Sequence, residues 1–307
     1  MSLIGRLKAN GPSGFGYGST ASQVTDGIDL KGRTFLVTGT TSGLGFETVR
    51  VLSRRGARVL ATARTLEKAQ RVAGKLGTEV VPVVCELADP RSVREAVRTV
   101  RQNGEQLDGI LCNAGIMALP KLEQAHGIEL QFFTNHIGHF MLVTGLLECL
   151  SSHARVVMLS SSAHTMAPKP EGILFNNLSG ERGYHPWRFY GQSKLANLLF
   201  AKELARRWVG TGRTANAVHP GVIRSELQRS MPAVARVTMD LAAPVFLKSI
   251  PEGAATQCYV ATNPALKNVS GEYFADCNVA PSTHASRDPE LAARLWEVSE
   301  RIVAGLT

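Results

Sequence analysis

Residues 34–45 read TFLVTGTTSGLG, and an amphipathic stretch, Leu44–Arg55, follows at once. A short apolar run, a glycine-rich turn and a helix in direct succession open a β-α-β unit. Gly39, Gly43 and Gly45 answer two demands of such a turn. The backbone must bend sharply, and it must let a bulky anion approach the helix N-terminus, where unpaired N–H groups point outward. Thr41, Ser42 and Leu44 fill the turn between the glycines and are candidates to line the same anion site.

Working outward, the same rhythm repeats. Short runs rich in Val, Ile and Leu occur at Thr34–Thr38, Arg58–Ala63, Val80–Cys85, Gly109–Cys112, Val156–Ser160, Ala215–Val218 and Glu272–Ala275. They lack clean alternation, as strands buried on both faces do. Helical patterns lie between them, at Leu44–Arg55, Leu66–Leu76, Pro90–Arg101, Ile128–Leu150, Tyr190–Trp208 and Pro251–Ala261. This alternation predicts a doubly wound α/β Rossmann fold: one domain over residues 31–307 with about seven parallel strands and helices on both faces. Residues 1–30, with four glycines and a proline in GPSGFGYGST, are expected to form an extended arm on the surface. Segments 163–189 and 225–250 break the rhythm after late strands. They are expected to wall the substrate pocket, because ligands bind beyond the carboxyl ends of strands in open α/β sheets.

Composition narrows the class. The net charge of +9 would suit nucleic acid, but the basic residues are scattered over helices with no run of five, so nucleic acid is not expected. Five cysteines without a CxxC pair read as reduced thiols, and no apolar stretch reaches the length of a membrane span; a cytoplasmic protein is the expectation. Leu3, Ile4 and Leu7 beside Arg6 and Lys8 leave room for a weak peripheral membrane contact.

The second strand ends RVLATAR. Folds that use NAD place an acidic residue at its end to accept the ribose hydroxyls. Here Ala63 stands in that slot and Arg64 follows, suited to pair with a 2′-phosphate, so NADP(H) is the expected cofactor. Tyr190 and Lys194 lie four apart on one helix face in FYGQSKLANLLF. A nearby ammonium favours a phenolate and brings a tyrosine toward useful acid–base range. Serines 160–162 end the fifth strand, where a hydroxyl can donate to a developing oxyanion. Asn135 sits inside a long helix, a position asparagine disfavours. His136 and His139 beside it are read as packing and polar contacts, and no metal is expected, since no third ligand with zinc-like spacing follows.

Taken together, TGxxxGLG, CELADP, LCNAG, SSSAH, YGQSK and HPG, in this order over residues 34–226, resemble the short-chain dehydrogenase/reductase family. The NHIGHF and YGQSKLANLLF strings are similar to its retinol dehydrogenase and WW-domain oxidoreductase branch. The resemblance implies a tetrad of Asn135, Ser161, Tyr190 and Lys194, with Ser160 and Ser162 as the alternative serine registers. Asn135 would hold a relay water. Glu86 and Leu87 would contact the adenine, and Asn113, Ala114 and Gly115 would lie against the cofactor. Pro220, Gly221 and Val222 would shape the nicotinamide pocket, and Ser225 stands where the family often has threonine. The implied activity is NADP(H)-dependent hydride transfer on a carbonyl or alcohol. Met231, Val234, Val237, Met239, Leu241 and Leu247 suggest an apolar substrate. A homo-oligomer is compatible with the family. Two other readings stay open: an NADP(H)-binding regulatory or scaffold protein without turnover, and a double-bond reductase on the same fold.

Overall fold

A computed structural model describes residues 9–223 and 247–306. Its centre is an eight-stranded sheet: β1 (Thr34–Val37), β2 (Arg58–Ala63), β3 (Val80–Val84), β4 (Leu107–Cys112), β5 (Leu150–Leu159), β6 (Thr214–His219), β7 (Tyr273–Ala275) and β8 (Asn278–Val279). The spatial order is β8-β7-β6-β5-β4-β1-β2-β3. Seven strands pair in parallel, and β8 turns back antiparallel at the edge. The order reverses between β1 and β4, which opens a crevice beyond their carboxyl ends.

The sheet is covered on both faces because successive strand residues point to opposite sides. Leu36, Leu60, Ile110 and Val156 face one core, with α3 (Pro90–Gln102), the long helix α4 (residues 130–145), α5 (Pro186–Arg207) and α7 (Pro289–Ala304). Val37, Val59, Leu111 and Val157 face the other, with α1 (Gly43–Arg54), α2 (Leu66–Leu76) and α6 (Ile250–Thr262). Both faces being apolar is why the strands show no alternation in sequence.

Some elements differ from the sequence reading. Ile128–Glu129 belongs to a small hairpin with Gln124–Ala125, so α4 starts only at Leu130. It runs as Leu130–Phe132, a π-turn over Phe133–Ile137, and Gly138–Gly145. Helix α5 starts four residues before Tyr190, with Pro186 in its first turn and His185 Nδ1 accepting from the Arg188 N–H. Helix α7 lies beyond the helical stretches read from the sequence; Asp288 caps it and Pro289 begins it, as Asp89 and Pro90 do for α3.

Within the arm, residues 11–18 lie along the β7–β8 edge. Asn278 accepts from the Ser13 N–H and donates to the Phe15 carbonyl. A helical turn, Ala21–Val24, then buries its apolar pair against α6 and α1. The amphipathic residues 3–8, Ser225 and most of segment 225–250 lie outside the described residues. Among the described residues, no helix is long and apolar enough to cross a membrane.

Candidate active site

A cavity of about 1100 Å³ fills the crevice at the switch point. Its floor is the β1–α1 turn. Gly39 and Gly43 have φ of +69° and +58°, where a side chain would be strained, and nothing lies within 4 Å of where a Gly43 Cβ would be. A Cβ on Gly39 would meet Ala114 Cα at 2.9 Å; one on Gly45 would overlap the Gly39 carbonyl and reach 2.6 Å from Asn113 Nδ2. Ser42 occupies the N-cap of α1 without a side-chain cap, so the first-turn N–H groups remain available to a ligand. Thr41, Ser42, Gly43 and Leu44 line the cavity. This open, glycine-built cradle fits a pyrophosphate. Asn113 locks it, donating to the carbonyls of Thr38 (2.9 Å) and Gly39 (3.3 Å).

Beyond β2, Arg64 reaches Glu86 at 3.8 Å, and both line the cavity above the buried Ala63 and Leu87. The wall also includes Lys68, Arg71 and Lys75. Their i, i+3, i+7 spacing puts them on one face of α2. In sequence they read as ordinary surface charges, and only the packing of α2 turns that face to the crevice.

At the other end, the Ser161 hydroxyl accepts the Ala163 N–H at 3.1 Å and lies close enough to the Tyr190 phenol to favour its ionised form. Ser160 is spent on the Lys194 carbonyl at 2.7 Å, and Ser162 gives its N–H to His219 Nδ1 at 3.3 Å. Of the three serine registers, geometry brings 161 to the tyrosine. His164 Nδ1 lies 2.7 Å from the Ser161 carbonyl and fixes the same loop. Lys194 Nζ donates to the Leu159 carbonyl at 3.0 Å and lies 5.6 Å from the centre of the Tyr190 ring.

The lysine does not pull the phenol down in the chain by itself. Burial pushes Tyr190 up to about 12, against the pull of the Ser161 hydroxyl, and pushes Lys194 down to about 8. Both neutral forms are favoured because this end of the cavity is shielded from water.

Asn135 is fully buried in the π-turn of α4. Its side chain accepts the Ile116 N–H and donates to the Ile116 carbonyl, both at 2.9 Å, and also donates to Ser193. Gly115 is pressed so closely that a Cβ there would lie 3.0 Å from Asn135 Oδ1 and 3.3 Å from Lys194 Nζ. His139 Nδ1 meets the Asn135 carbonyl at 2.9 Å, and its Nε2 meets Thr38 Oγ1 at 2.8 Å. His136 Nε2 lies 2.8 Å from Ser299 Oγ. Of segment 163–189, Ala163, Thr165, Met166 and Trp187 face the cavity, and Met117 and Leu130 join them from the opposite wall. Pro220, Gly221 and Val222 line the same cavity.

A doubly wound α/β protein with a ligand cavity at its switch point is the class that this fold and cavity define. Comparison with known proteins narrows it. A model of the short chain dehydrogenase family matches residues 33–235. The chain is 40% identical, over the full length of both, to "Short-chain dehydrogenase TIC 32 A, chloroplastic" of Brassica napus. It is 39% identical to retinol dehydrogenase 14 of Mus musculus, over 89% of this chain and 86% of the relative. A crystal structure of an uncharacterised protein from Mycobacterium paratuberculosis superposes with a TM-score of 0.74 at 32% identity, covering 92% of this chain and 97% of that one. The chain belongs to the short-chain dehydrogenase family, whose members are oxidoreductases using nicotinamide cofactors. The same relatives overturn the cytoplasmic expectation, since those matched end to end are named as chloroplastic. Reduced cysteines and a basic balance carry no compartment address.

Proposed function

We propose that the chain transfers a hydride between NADP(H) and the C=O or CH–OH group of an apolar substrate. What supports the reading is one observation: the cavity joins an end lined by Arg64, Lys68, Arg71 and Lys75 to an end where Ser161, Tyr190 and Lys194 converge. The four cations favour a nucleotide carrying an extra phosphate over one without it. Met117, Leu130, Met166 and Trp187 around the reacting end favour an apolar substrate.

A dinucleotide held there would supply or accept the hydride. Ser161 donates a hydrogen bond to the substrate oxygen and fixes its direction. Tyr190 gives its proton to that oxygen in reduction and takes one back in oxidation. Lys194 binds the cofactor ribose and, when protonated, favours the phenolate. Asn135 holds the Gly115–Ile116 loop against the cofactor, and its carbonyl is the acceptor for a relay water. Gly39 to Gly45, Asn113, Ala114, Glu86 and Leu87 hold the nucleotide, and Pro220, Gly221 and Val222 bound its nicotinamide end.

The test follows NADPH consumption, with NADH in parallel, against apolar aldehydes, ketones and enones, using wild type and Tyr190→Phe. Turnover of aldehydes or ketones with NADPH, weak with NADH and lost in the variant, is the expected outcome. Turnover of enones alone would move the reading to double-bond reduction. Tight NADPH binding without turnover on any of them would favour a sensor, and failure to bind either nucleotide would overturn the reading.

A further inference from the structure

Lys248 is a lysine where burial should forbid one. Its side chain is 1% exposed, and the catalytic reading makes no use of it. Its backbone is tied to the Pro220–Val222 turn: its N–H donates to the Val222 carbonyl at 2.9 Å, and it forms an isolated parallel bridge with Ile223. Its stem lies against the same turn. A Cβ on Gly221, where φ is +89°, would sit 2.7 Å from Lys248 Cδ and 3.0 Å from Cε. The stem therefore fills the space that a side chain at 221 would need.

The ammonium then leaves the turn and enters an ion pair with Asp276 Oδ1 at 2.6 Å, off the alignment of a hydrogen bond. A buried cation demands such compensation, and losing it is costly. The Tyr17 ring covers the other side, its centre 4.6 Å from Nζ. Both partners are fastened from elsewhere. Asn278 donates to the Asp276 carbonyl at 2.7 Å and grips the arm at Ser13 and Phe15, two residues before Tyr17. Phe15 packs edge-on against Tyr259 of α6 at 5.6 Å. Beside the pair stands His219, whose Nδ1 accepts the Ser162 N–H and so reaches the loop of Ser161. Burial disfavours a proton on that imidazole; Asp276 offsets part of this, and Lys248 adds to it.

We propose that Lys248 is a positioning residue for the nicotinamide end of the cavity: its stem sets Gly221, and its ammonium ties that turn to Asp276 on the sheet edge and to Tyr17 of the N-terminal arm. The assignment rests on the NADP(H) reading above. It gives the glycine-rich arm a task inside the site.

Calorimetric titration of the full chain with NADPH and with 2′,5′-ADP separates the two ends, because the second ligand keeps the phosphate-bearing adenosine and lacks the nicotinamide. Lys248→Met keeps the stem and removes the charge. Its NADPH affinity should fall about tenfold, the scale of a displaced positioning contact, while 2′,5′-ADP affinity stays within about twofold. Tyr17→Leu should shift NADPH in the same direction by less, and it keeps the question answerable if Lys248→Met does not fold. Asp276→Asn should lower thermal stability more than Lys248→Met, and the double variant should recover part of that loss, because only the single asparagine leaves an unpaired buried ammonium. Unchanged NADPH affinity in Lys248→Met and Tyr17→Leu, or equal weakening of both ligands, would overturn the proposal. A wild type that binds neither ligand would instead sink the cofactor reading itself, and this assignment with it.

Discussion

At the β2 end of the cavity Arg64 keeps 70% of its side chain exposed and meets Glu86 only at 3.8 Å, whereas at the β5–α5 end Tyr190, Lys194 and Asn135 are 7%, 3% and 0% exposed. The first region holds its charges in water, where they are adjustable and screened by salt. The second holds its groups dry, so each must be satisfied by a named partner and each is pushed toward its neutral form. The difference teaches which kind of work each end can do. A solvated cluster of cations can select a phosphate at small structural cost. Proton transfer needs a fixed tyrosine whose surroundings do not reorganise.

The sharpest way to break this comparison is Tyr190→Phe. It removes one oxygen from the dry end and should lower kcat by about 10²–10⁴-fold, the range for a lost general acid. NADPH affinity, set mainly at the other end, should stay within a few-fold in a fluorescence titration. A parallel loss of affinity would mean that the two ends are not separable.

Acid should come next, and only through the dry regions. Burial holds His136 at about 3 and both His139 and His219 at about 4, against an ordinary 6.5. Between those values and 6.5 the unfolded chain binds more protons than the folded one, so stability falls as pH drops through this window. At about 1.4 kcal/mol for each tenfold loss of proton affinity, these three imidazoles outweigh any surface ion pair. Thermal unfolding between pH 7 and pH 4.5 checks it; a midpoint flat across that range would mean the imidazoles take up protons without unfolding.

The wet end should answer to salt instead. Arg64→Ala should raise the KM for NADPH about tenfold at low ionic strength, leave NADH unchanged, and lose much of its effect in high salt. The smallest expected effect is that of Glu86→Gln. Removing the carboxylate beside Arg64 should tighten NADPH by no more than about threefold, as for any exposed pair. A large loss instead would mean that the Glu86 carboxylate, and not its backbone alone, holds the cofactor.

The reach of the sequence follows the same division. The glycine turn at 39–45 and the Tyr190–Lys194 pair are legible because each is local: one is a strand–turn–helix junction, the other a single helical turn. Arg64 is legible by its place at the end of β2. Lys68, Arg71 and Lys75 are not, because the spacing that joins them is the spacing of any solvated helix face. Ser161 is already chosen by the family resemblance, but the physical reason against Ser160 is its bond to the Lys194 carbonyl, 34 residues away, and the His219 contact with Ser162 spans 57. Lys248 beside Gly221 gives no local signal at all, since its partners come from opposite ends of the chain. Helix α7 is within reach of the sequence: Ala292, Leu295, Trp296 and Ser299 repeat at i, i+3, i+4 and i+7, and its Asp-Pro start matches that of α3.

The grip of Asn278 on Ser13 spans 265 residues. A polypeptide made from its amino terminus must therefore leave the segment around Ser13 without this partner until Asn278 has been synthesised. The strands beneath the cofactor cradle at 39–45, and the Asn113 that locks it, are all complete by residue 113. The nucleotide-holding half can thus take shape while the reacting half is still being translated, and the edge under Lys248 is among the last parts to close.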